Sequence, residues 1–176
     1  IAIAACDLAE VLGSAIALDP RYADAYASKA TLTAVYGNSY ANAEQLAANR
    51  AEALKLAQTA LQIAPDLPRG HSALSYVYQS LLQVGPSYSQ LRRARQLAPG
   101  DAEIVAAFGS AVTGLGDIGS ALSLTDQAIA LDPLNHFPYN VRLNALFEGR
   151  RYADAVAYGR QLAQKFPKDR SGEMAV

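Results

Sequence analysis

The chain has 176 residues, with 15 Lys and Arg against 16 Asp and Glu, two His, one Cys, no Trp and a net charge of -1. That length suits one ordinary domain or a short repeat array, and the balanced charge excludes a protein that grips nucleic acid through its whole surface. A single Cys excludes a disulfide framework or a Cys-rich metal site, and no apolar run approaches the ~18 residues of a membrane span.

The first predicted element is an apolar helix over residues 1–20 that ends at Pro20. It reads as the second helix of a repeat begun upstream. With Ile rather than Met at its start, the chain is expected to be a processed or excised piece of something longer. Cys6 falls inside this Ala-rich helix, where a buried, inert thiol is expected. Further along, Pro65, Pro99, Pro133 and Pro167 each close another apolar helical stretch, at spacings of 45, 34, 34 and 34 residues. Proline cannot continue a helix, and it biases the residue before it away from helical dihedrals. Four units follow, 21–65, 66–99, 100–133 and 134–167. Residues 168–176 form a tail or the start of a further helix.

Counting each unit so that its closing proline is position 32, small residues recur at fixed places. Position 8 holds Ala30, Ser75 and Gly109, with Leu143 discordant. Position 20 holds Ala53, Ser87, Ala121 and Ala155. Position 27 holds Ala15, Ala60, Ala94 and Ala128, with Leu162 the exception. Larger residues recur at position 4 (Tyr26, His71, Val105, Tyr139) and position 11 (Thr33, Tyr78, Val112, Leu146). This is the pattern of two short antiparallel helices per unit: small residues allow close approach and larger ones fill the gaps. Many of the 36 Ala residues therefore serve packing as well as helix propensity. One unit cannot hide its apolar face alone, so units stack.

The first full unit carries 11 extra residues near 37–48. Either an exposed loop joins its helices, or the second helix is extended N-terminally. In the helical case Ser39 or Asn42 is the cap, and Leu46, Leu54 and Leu61 lie along one face. The Ala and Gln content favours the helix.

The 34-residue period, the small-residue spacing and the closing proline resemble the tetratricopeptide repeat, over essentially the whole chain. The resemblance implies an all-α fold, a right-handed superhelical solenoid of antiparallel helix pairs. Two departures stand out: position 4 never holds Trp, and Lys29 and Arg142 occupy position 7, where an apolar residue is usual. The stretches DPRYADAYASKA and ALDPLNHFPYNVRLNALFEGRRYADAVAY are also similar to repeat regions of bacterial multidomain proteins. Those proteins carry a winged-helix or an adenylate/guanylate-cyclase-like domain N-terminal to the repeats. That resemblance implies a regulatory or oligomerisation module of a signalling protein.

The inner wall of such a solenoid is lined by positions 2, 5, 9 and 12 of each first helix. These are Asp24, Ala27, Thr31 and Ala34 in the first full unit, then Arg69, Ser72, Tyr76 and Gln79. The third unit supplies Glu103, Ala106, Ser110 and Thr113, and the fourth Phe137, Asn140, Asn144 and Phe147. Asn140 and Asn144, four residues apart, share a helix face. Their amides are suited to bracketing an extended peptide backbone, with Phe137 and Phe147 as apolar flanks and Tyr76 as an aromatic with a polar tip. The alternative is that the amides are merely solvated and Phe147 is partly core. A clamp for a C-terminal carboxylate is not expected, since Arg69 is the lone cation on this wall.

No chemistry competes with that reading. The sequence holds no HExxH, CxxC, GxSxG or P-loop motif. His71 falls at a filling position, and His136 has no second ligand at metal spacing. The run GLGDIG (114–119) falls at a turn between helices and follows no strand. Arg92, Arg93 and Arg95 read as a solvated outer face; Arg150, Arg151 and Asp154 read as an exposed charged corner. The expected function is a non-catalytic scaffold binding an extended peptide or a partner helix, with no cofactor, metal, direct nucleic-acid contact or membrane insertion. A homodimer through the N-terminal edge or the first-unit extension is the other association expected. No compartment is assigned by the sequence.

Overall fold

The computed structural model describes residues 2–35 and 42–167, with side chains from Asp7 onward. The predicted cap Ser39, part of the 37–48 insertion, the 168–176 tail and the Cys6 thiol lie outside the described residues. Everything described is helix or short turn. The helices are α1 (Ala2–Leu18), α2 (Ala23–Val35), α3 (Ala43–Ile63), α4 (Pro68–Ser80), α5 (Val84–Leu97), α6 (Ala102–Gly114), α7 (Ile118–Leu131), α8 (Phe137–Glu148) and α9 (Tyr152–Lys165). They gather into two compact units, Ile1–Ala98 and Pro99–Val176.

The prolines end helices as their chemistry requires. α1, α3, α5, α7 and α9 stop at Leu18, Ile63, Leu97, Leu131 and Lys165, each two residues before its closing proline. Between helix and proline one residue donates its amide back to position 27. Ala64, Ala98, Asp132 and Phe166 thus bond to the carbonyls of Ala60, Ala94, Ala128 and Leu162.

The turns within helix pairs are equally regular. α4, α6 and α8 all end in the same paired hydrogen bonds. The amides of Gln83, Asp117 and Arg151 reach back to the carbonyls of Tyr78, Val112 and Leu146. Those of Leu82, Gly116 and Arg150 reach Gln79, Thr113 and Phe147. This is the Schellman closure, which places its C′ residue in the left-handed region. Here the C′ residues are Leu82 (φ 57), Gly116 (φ 84) and Arg150 (φ 56), again 34 apart.

Inside each pair the small residues bring the helices together. Ala30, Ala53 and Ala60 are fully buried between α2 and α3 in the first unit, in a core that continues through Ala57, Ala73, Leu74 and Val77. At the next pair Ser75 and Ser87, positions 8 and 20, meet through their hydroxyls at 2.8 Å, so two buried polar atoms satisfy each other. In the second unit the same two positions are Gly109 and Ala121. A Cβ on Gly109 would stand 3.3 Å from Leu124 Cβ and 3.6 Å from the Ala121 carbonyl. Val105, Val112, Leu124, Tyr139, Val141 and Leu146 fill the remaining space of that unit.

The lengthened first unit resolves on its described side as helix. Asn42 caps α3 with a full capping box: its side chain accepts from the Gln45 amide at 2.9 Å. The Gln45 side chain in turn accepts from the Asn42 amide at 3.0 Å. Leu54 and Leu61 pack against the core, and Leu46 is half-buried. α3 starts seven residues earlier, in repeat register, than α5, α7 and α9.

Candidate functional site

Each unit presents its first helices side by side, α2 against α4 in one and α6 against α8 in the other. In the first unit Arg69 and Gln79 are exposed on α4, with Ser72 and Tyr76 half-buried between them. Gln79 donates to Ser75 Oγ at 3.5 Å, and Tyr76 is engaged within the chain. On α2, Ala27 is buried, and Thr31 returns its hydroxyl to the Ala27 carbonyl at 3.1 Å. This wall is therefore narrower than the spacing predicts, because the neighbouring helix covers the small residue at position 5.

The second unit repeats the effect. On α6, Glu103 and Ser110 are exposed but Ala106 is fully buried. Thr113, predicted to line the wall, is buried too and gives its hydroxyl to the Gly109 carbonyl at 3.0 Å. A Thr near a helix C-terminus that bonds the carbonyl four residues back has no donor left for a ligand.

α8, like α4, keeps all four of its wall residues at least partly exposed. Its start is fixed by Asn135, whose side chain accepts from the Phe137 amide at 3.0 Å, with Pro138 in the first turn, where a missing N–H costs nothing. Phe137 and Asn140 are half-buried, Asn144 is exposed, and Asn140 is already engaged within the chain. The two amides share a helix face but not an environment. Phe147 is not core: it is 58% exposed. Its ring meets that of Tyr152 edge-on, at 5.5 Å between centroids and 66° between planes. Tyr152, 54% exposed, is not among the predicted wall residues. It opens α9 across the Schellman turn, five residues after Phe147, a distance at which sequence spacing alone carries no helical-face relation.

The two cations at position 7 are accommodated by polar partners. Lys29 lies 3.9 Å from Glu52 of α3, and its ammonium ends beside Gly13 of α1. Arg142 bonds Asp126 at 2.5 Å and reaches the Leu122 carbonyl and Thr125 hydroxyl of α7. On its other side the guanidinium lies 5.5 Å from the centroid of the Tyr158 ring of α9. Burial pushes the Tyr158 phenol up to about 12, against the opposing pull of Arg142, and its buried hydroxyl has no hydrogen-bond partner among the described residues. At position 30, Lys165 replaces the usual aliphatic residue and places its ammonium over the Tyr139 ring and against its hydroxyl.

The remaining candidates have structural roles. His71 is half-buried, donating from Nε2 to the Pro65 carbonyl at 3.0 Å, with Nδ1 at 2.7 Å from Gln90 Oε1. Gly116 supplies the left-handed turn of the GLGDIG run, and Asp117 caps α7 through the Ser120 amide. A side-chain hydrogen bond from Ser120, together with that amide bond, holds the exposed Asp117 carboxyl below its usual value. Arg93 pairs with Asp66 at 2.6 Å and Arg151 with Asp154 at 2.6 Å. Among the described residues no three His, Cys, Asp or Glu side chains gather as metal ligands would, and no helix is long and apolar enough to cross a membrane.

Helix pairs with a closing proline, a Schellman turn between partners and small residues at the contact define a stacked helical-repeat protein. The fold is that of tetratricopeptide-repeat proteins, and the likeness spans almost the whole chain. A thermophilic protein of this class from Thermus thermophilus is 18% identical, covering 94% of this chain and 85% of that one at a TM-score of 0.76. YrrB, a protein of the class with an unusual peptide-binding site, is 19% identical over 95% of this chain and 80% of its own, at 0.63. An O-GlcNAc transferase from Thermobaculum terrenum is 19% identical over 82% of this chain. It matches at a TM-score of 0.63, but only 27% of its length is covered. No protein-family model matches the sequence, and no curated protein matches it.

Proposed function

We propose that the chain is a non-catalytic interaction scaffold that holds an extended peptide along the first-helix wall of its second unit. The observation that carries this is the exposed aromatic pair of Phe147, near the end of α8, and Tyr152, at the start of α9, with the exposed Asn144 three residues before Phe147 on the same helix. Two half-exposed rings meeting edge-on are apolar surface the core does not use. They suit a large apolar anchor side chain, while Asn144, with one donor pair and one acceptor, can pair with a strand-like backbone. Glu103 and Ser110 on α6 extend the wall with polar rim contacts. The set lacks a cation cluster, so the favoured ligand is an internal segment with an aliphatic or aromatic anchor, not a free carboxyl terminus. The peptide-binding site described for YrrB, which shares the fold, supports the same class of partner. In the first unit Arg69, Ser72, Tyr76 and Gln79 form a more polar surface that would favour a different sequence.

The test is selection of a displayed random peptide library on the full chain, followed by titration of the recovered peptides. Alanine at Phe147 should weaken capture about 30-fold, the loss typical of an interface anchor, with helicity unchanged. Asn144→Ala should weaken it by less. Equal capture by wild type and by a triple alanine variant at Asn144, Phe147 and Tyr152 would remove the site.

A further inference from the structure

We draw no further inference here: the strongest candidate, the face of α1 where the exposed Val11 and Leu18 border an open pocket with Asp7, Glu10 and Ser14, carries nothing because nothing in the structure shows what covers it.

Discussion

At the scale of single residues the chain tolerates several local costs that the repeat geometry imposes. Leu82 and Arg150 take the left-handed conformation that Gly116 takes at the same position of its own unit. A residue with a Cβ is disfavoured there by about 1–2 kcal/mol, and glycine's greater freedom in the unfolded chain recovers part of that. Leu82→Gly and Arg150→Gly should therefore each stabilise the fold by about 0.5–1 kcal/mol, and Gly116→Ala should destabilise it by about 1 kcal/mol. Urea midpoints read all three; a glycine at 82 that lowers the midpoint would show that the turn is not strained. Tyr158 gives a second expectation. Its phenol moves from 10.0 to about 12 on folding, so the native state keeps a proton that the unfolded state releases. Stability contributed by this group is complete below pH 10 and is lost as pH rises towards 12. Because the other tyrosines also ionise there, the readout is the difference between wild type and Tyr158→Phe. The variant should lose less stability over that window, and it leaves no buried hydroxyl without a partner. Parallel pH profiles for the two proteins would rule out burial of this phenol as the cause.

At the scale of elements the sequence was legible wherever one residue type must do one job. The closing prolines placed five helix ends to within two residues, and the small residues at positions 8, 20 and 27 marked the contacts that Ser75–Ser87 and Gly109–Ala121 now make. The cap of α3 was half legible: the sequence offered Ser39 or Asn42, and the capping box with Gln45 marks Asn42. Less legible was how position 5 is covered, since burial of Ala27 and Ala106 depends on how closely the neighbouring first helix lies. The caps make a contrast that can be measured. Asn42 starts a stretch of α3, Ala43–Asn49, in which no residue is buried, whereas Asp101 starts α6, where Ile104 to Gly109 are buried without a break. Losing either cap costs about 1 kcal/mol of local helix stability. In Asp101→Ala that loss should appear in global unfolding, because α6 cannot fray without exposing Ile104 and Val105. In Asn42→Ala it should appear as faster hydrogen exchange over Ala43–Asn49, with the melting temperature almost unmoved. A melting temperature that falls equally in both would mean that the α3 extension is held by more than its cap.

At the scale of the whole molecule, the sequence presents an array of like repeats, and the helices gather into two compact units. Sequence periodicity does not mark where such a grouping falls, because every repeat uses the same contact positions. The candidate site was half legible for a related reason. Phe147 and Asn144 follow from helical spacing, but Tyr152 joins them only through the chain reversal at Arg150, and Arg142 reaches Tyr158 only through tertiary packing. In stacked repeats stability is close to a sum of unit and nearest-neighbour terms, so damage to one core should be felt mainly beside it. Leu91, fully buried on α5, belongs to the first unit, and Leu146, buried on α8, to the second. Truncating either to alanine removes about 2–5 kcal/mol of packing. Hydrogen exchange followed by helix should then show Leu91→Ala loosening α4 and α5 far more than α8 and α9, and Leu146→Ala doing the reverse. Equal loosening of all four helices in both variants would mean that the chain unfolds as a single cooperative body, with the two cores acting as one.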